Sequence, residues 1–126
     1  MKLASIDIGL KRIGLAICLA SDIVTPQTAI LRKNRDQAAR DVNIFLKEWE
    51  IEKLIVGFPS SSDDMQKRIK HFVSLLELQI PYEFCEENMS SIEAENLIKG
   101  EIKYKRDGRI DSLAAKIILE RFLAKK

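Results

Sequence analysis

Histidine and cysteine are nearly missing from this chain, which has one histidine, His71, and two cysteines, Cys18 and Cys85, in 126 residues. That scarcity removes whole classes of chemistry. The cysteines lie far apart on apolar runs with no Cys-x-x-Cys spacing, so they read as two buried free thiols in a reducing compartment. A zinc centre of the usual Cys/His kind is nearly excluded. A Ser-His-Asp triad would have to use His71, and no Gly-x-Ser-x-Gly elbow accompanies it. No apolar stretch approaches the ~20 residues of a membrane span. The opening MKLASIDIG meets an acid where a signal peptide needs an unbroken apolar core. The expectation is a cytoplasmic protein with no membrane partner. A net charge of +2 is too small to identify a nucleic-acid binder by itself.

What is present describes one domain over residues 1–126, large enough to bury a core without disulfides or structural metal. KLASIDIGLKRIGLAI reads as a strand, a tight turn at Gly9 to Arg12 and a returning strand. Val24 to Leu31 is a third strand, with Pro26 marking its beginning or a sheet edge. Asn34 caps a helix with Gln37 three residues on, and Ala38, Val42, Phe45, Leu46 and Trp49 follow at helical spacing. Lys53 to Val56 is a short apolar strand leading into Gly57, Phe58 and Pro59. Serines 60 to 62 then open a second helix at about Asp63, with Lys67, Lys70, His71 and Ser74 facing outward. A fifth strand spans Tyr82 to Cys85, and a capping pattern at Ser90 and Glu93 starts a short helix ending near Gly100. The last helix runs from about Ile110 to Leu123. Three strands followed by strand-helix alternation predict a mixed five-stranded α/β sheet with helices on both faces.

Asp7 is centred in the first hairpin, where an unpaired charge in a packed core is costly. Two more acids, Glu87 and Asp111, fall at comparable ends of later elements. With the ends of the first and fifth strands next to each other and the last helix packed above them, all three share one pocket. Carboxylates within about 4 to 6 Å repel by about 3 to 4 kcal/mol per pair at an effective dielectric near 20, so something positive must compensate. Oxygen-only ligands select a hard divalent cation, Mg²⁺ or Mn²⁺, which supports water attack on a phosphodiester. Each acid taken alone also fits an ordinary role: Asp7 as a surface acid at a strand end, Glu87 as a solvated loop acid, Asp111 as a partner of the helix dipole. Lys11 and Arg12 beside Asp7 suit phosphate contact, or are ordinary turn residues. Between Lys99 and Arg109 the balance is +3. There Lys103, Lys105, Arg106 and Arg109 form a basic loop suited to a phosphate backbone, or simply a solvated one.

These residues resemble a family. DIGLKRIGLAI, VGFP at Val56 to Pro59, ENMSSIEAE at Glu87 to Glu95 and IDSLAA at Ile110 to Ala115 are similar, in the same order over essentially the whole chain, to the YqgF family of pre-16S ribosomal RNA nucleases. That family is also described as Holliday-junction-resolvase-like proteins of the ribonuclease H superfamily. The resemblance implies a ribonuclease H-like fold, metal ligands at Asp7, Glu87 and Asp111, and maturation of the 5′ end of the small-subunit ribosomal RNA precursor in a bacterial cytoplasm. This chain departs from the family where its acid pair is Glu86–Glu87 rather than Asp-Glu, where Asn88 replaces an arginine, and where the loop after Pro59 is short and serine-rich.

The leading expectation is a metal-dependent nuclease acting on structured RNA, with ribosomal precursor particles as possible partners. A resolvase for branched DNA is the runner-up. Such enzymes cut as dimers, and the pattern here shows no obvious apolar dimer face, so a monomer or weak dimer is expected. A non-catalytic RNA-binding assembly factor is the third reading. A sugar-kinase-like or actin-like ATPase would need two such domains and glycine-rich phosphate loops.

Overall fold

All six residues of the first strand, β1 (Leu3–Ile8), are buried, which requires the sheet to be covered on both faces. The computed structural model describes residues 1–20, 22–60, 62–86 and 108–125, with side chains in the last helix from residue 111 onward. Among these, β1 is followed by β2 (Arg12–Cys18), β3 (Thr25–Leu31), α1 (Arg35–Glu48), β4 (Lys53–Phe58), α2 (Asp63–Leu76), β5 (Tyr82–Glu86) and α3 (Gly108–Ala124). The strands form one mixed sheet in the order β3-β2-β1-β4-β5. β1, β2 and β3 are successive antiparallel neighbours, and β4 and β5 run parallel to β1.

Strand alternation sorts β1 between two cores. Ala4, Ile6 and Ile8 join Val42, Phe45, Ile69 and Phe72 of α1 and α2. Leu3 joins Ala115, Ile118 and Leu119 of α3 on the opposite face. The expected three-layer arrangement is therefore present. The helix starts follow from their caps. Asn34 accepts from the Gln37 amide at 2.8 Å, while the Gln37 side chain accepts from the Asn34 amide at 3.3 Å. Ser62 accepts from the Met65 amide, which satisfies one of the orphan donors at the start of α2. Pro26 sits near the start of β3, an edge strand, where its missing N–H is tolerated.

One expectation needs correction. β4 lies between β1 and β5, so the ends of the first and fifth strands are not neighbours but two strand spacings apart, about 9.5 Å. A short apolar strand followed by a crossover helix inserts centrally because its residues, Leu54 to Val56, are buried on both faces. The last helix also begins two residues earlier than expected. The short helix expected near residues 90–100 lies outside the described residues. No helix among the described residues is long and apolar enough to cross a membrane.

Candidate active site

Asp7 faces α3, as the hydrogen bonds of its strand show. Ser5, two residues earlier and therefore on the same side, donates its hydroxyl to the Ala115 carbonyl at 2.6 Å. Asp7 lies directly opposite Gly14 in the β1–β2 ladder, and residues so paired project to one face. A Cβ built on Gly14 would lie 1.9 Å from the Asp111 carbonyl oxygen and 2.8 Å from the Ser112 amide nitrogen. The first turn of α3 therefore rests on the sheet backbone beside Asp7, in space that only glycine leaves open. Asp7 and Asp111 are each 8% exposed. Two carboxylates from opposite ends of the chain thus lie on one sheet face, near the carboxyl ends of the parallel strands, where open α/β sheets place their ligands.

The start of α3 is fixed by directional contacts. The β2–β3 register shifts between Ile13 and Leu15, and the Ser112 hydroxyl spans the irregularity. It donates to the Gln27 carbonyl at 2.5 Å and accepts from the Leu15 amide at 3.4 Å. Arg12 donates from Nε to Asp111 Oδ2 at 2.9 Å, an ion pair that offsets the cost of a nearly buried carboxylate. Deeper in the same face, the Cys85 thiol reaches the Ile118 carbonyl at 3.8 Å. Burial pushes the Cys85 thiol above its ordinary range, consistent with an inert packing residue.

Lys11 is exposed on the hairpin turn, and Arg12 is engaged with Asp111. Glu87, Lys103, Lys105 and Arg106 lie outside the described residues. Arg109 falls in the first turn of α3, with its side chain outside the described set. Glu86, immediately before Glu87, accepts from the Ser60 hydroxyl at 3.0 Å, so the serine-rich loop contacts the acidic end of β5. Sequence reasoning missed the positioning roles of Ser5, Gly14 and Ser112. Ser5 could have been found by its phase with Asp7. Gly14 and Ser112 fall inside the runs DIGLKRIGLAI and IDSLAA, but the contact each makes is tertiary and has no local signature.

The donor set suits a hard cation. Asp7 and Asp111 offer only carboxylate oxygens in a nearly closed setting, the ligand type that Mg²⁺ and Mn²⁺ take. Among the described residues no third His, Cys, Asp or Glu completes a metal-binding group. The third ligand expected from the sequence is Glu87.

Comparison with known proteins places this geometry in context. A family model described as "RuvX: Holliday junction resolvase" matches residues 1–125. A protein of Sulfurovum sp. (strain NBC37-1) named "Putative pre-16S rRNA nuclease" is 64% identical over 127 residues, covering 98% of this chain and 99% of its own. Among solved structures, Thermus thermophilus RuvC superposes with a TM-score of 0.56 at 10% identity, covering 99% of this chain and 96% of its own. A Fowlpox virus resolvase in complex with Holliday junction DNA does so with a TM-score of 0.57 at 16% identity, covering 98% and 99%. At such identities the structural likeness shows the fold alone, which is the expected ribonuclease H-like one.

Proposed function

This chain belongs to the RuvX family, and from that premise we propose that it is a metal-dependent nuclease hydrolysing phosphodiester bonds in the 5′-end processing of precursor 16S ribosomal RNA. The observation that carries the reading is the pairing of Asp7 and Asp111, nearly buried on one sheet face with Arg12 against one of them. The name of the 64% identical relative supports ribosomal RNA as the substrate. In this proposal residues 1–126 act as one cytoplasmic domain, and Glu87 joins Asp7 and Asp111 in holding Mg²⁺ or Mn²⁺. Such an ion, when bound, supplies Lewis acidity to phosphodiester hydrolysis.

The chain's own part is to position and to bind. Ser5 and Ser112 lock α3 onto the sheet and so fix Asp111 relative to Asp7. Arg12 reaches Asp111 through Nε, and its remaining guanidinium N–H groups are the donors directed at phosphate. Lys11 adds charge on the same turn. Lys103, Lys105 and Arg106, which precede α3 in the sequence, and Arg109 in its first turn hold the nucleic-acid backbone.

The test is Asp7→Asn assayed on a precursor 16S ribosomal RNA fragment. Cleavage should fall by about 100-fold or more while the circular dichroism spectrum stays native; undiminished cleavage would overturn the assignment. The family description and the resolvase fold favour one alternative, cutting of four-way DNA junctions. Preference for the junction over the RNA fragment, assayed side by side, would replace RNA with branched DNA as substrate. Wild-type protein that binds RNA but yields no product with Mg²⁺ or Mn²⁺ would instead identify a non-catalytic assembly factor.

A further inference from the structure

On the sheet face opposite Asp7, a cleft of about 570 Å³ opens between the end of β1, the end of β3 and helices α1 and α2. Ile8, the neighbour of Asp7, and Leu10 on the hairpin turn form one wall. Arg32, Arg35, Lys67, Arg68 and His71 line much of the rest, and among the described residues no carboxylate lines it. Lys67, Arg68 and His71 share one side of α2 because positions three and four apart on a helix are neighbours. Among the described residues, none of the ion pairs takes Arg35, Lys67 or Arg68.

Arg32 ties this cleft to the candidate active site. Its Nη1 donates to the Gly9 carbonyl at 2.6 Å, and its guanidinium lies 5.3 Å over the Phe72 ring. The arginine is thus held in place by the same turn that carries Lys11 and Arg12. Burial first, and then the charges of Arg35 and Arg68, pull the Arg32 guanidinium below its ordinary range. Like charges held together in this way favour an anion, which relieves their mutual repulsion. Among the described residues, His71 is the one aromatic group lining the cleft on which a base could stack, so the contacts these residues offer suit phosphate rather than nucleobase.

We propose that this cleft is a second phosphate site, binding the sugar-phosphate backbone of the nucleic acid where it passes over the Gly9–Arg12 turn from the acids to the opposite sheet face. The inference rests on the nuclease reading for the identity of the ligand, and its test is independent of cleavage. His71 is the only histidine, so its ring resonances are identifiable by NMR without assignment. In metal-free buffer with chelator, a single-stranded RNA oligonucleotide added to the full chain should shift those resonances. The Arg35→Ala/Arg68→Ala variant changes two exposed side chains. It should lose most of the shift, and the slope of log affinity against log salt should fall by about 1.4, as two lost contacts to a single strand require.

Failure of the oligonucleotide to bind, or binding that leaves His71 and the variant's salt slope unchanged, would overturn the proposal. Inorganic phosphate is the second arm. If it moves His71 as far as the oligonucleotide at equal phosphate concentration, the cleft is a site for free phosphate and the backbone assignment fails. Wild-type cleavage, measured beside the His71 shift, separates the two readings. A shifted His71 with no cleavage by the wild type would sink the nuclease reading alone, and wild-type cleavage with a silent His71 would sink the cleft alone.

Discussion

Ala4, Ile6 and Ile8 on one side of β1 enter an aliphatic and aromatic core against α1 and α2, whereas Ser5 and Asp7 on the other side meet α3 through a hydrogen bond and a shared carboxylate face. The same strand, at the same depth, serves two kinds of contact. Apolar burial is non-directional and roughly proportional to area, so the α1/α2 face can adjust to small changes and still hold the sheet. The α3 face depends on angles and distances. Ser5, Gly14, Ser112 and Arg12 each fix the first turns of one helix against the sheet, and the pairing of Asp7 with Asp111 depends on that fit.

Substitutions on the two faces of β1 should therefore behave differently. The largest stability loss belongs to the apolar face. Phe72→Ala removes a ring that is 1% exposed and should cost about 3 to 5 kcal/mol in urea unfolding. Gly14→Ala comes next, at about 1 to 3 kcal/mol, the usual cost of overpacking. Because the added Cβ would collide with the backbone of Asp111, cleavage should fall further than the stability loss explains, measured at a temperature where the variant is fully folded. Full activity in a folded Gly14→Ala would show that the placement of α3 is not what the carboxylates depend on. Smallest in stability is Ser5→Ala, at about 1 kcal/mol for a lost hydrogen bond. If it lowers cleavage as little as an equally destabilising change on the α1/α2 face, the distinction between the two faces disappears.

Much of this architecture can be read from the sequence because it is written in local periods. The alternation of Leu3, Ser5 and Asp7 against Ala4, Ile6 and Ile8, the Asn34–Gln37 capping box and the placement of Pro26 all reappear in the structure. Each is decided by residues close in the chain. The central position of β4 is different, since strand order depends on which faces the crossover helices cover, and the expected adjacency of the first and fifth strands fails for that reason. The Arg12–Asp111 pair and the Ser112 bridge join residues at opposite ends of the chain. Asp111 stands out in the sequence only as an acid at a helix start, and Arg12 only as a turn cation. His71 reads as an ordinary outward residue of its helix until Arg32, just past the end of β3, and Arg35, at the start of α1, are seen lining the same cleft.

If Asp7 and Asp111 converge with Glu87 on a hard cation, calorimetric titration with Mn²⁺ will show all three at work. The wild-type chain should bind the ion, and Asp7→Asn, Glu87→Gln and Asp111→Asn should each weaken binding by about 10-fold or more while remaining folded. Wild-type affinity in any one of the three would contradict a shared site.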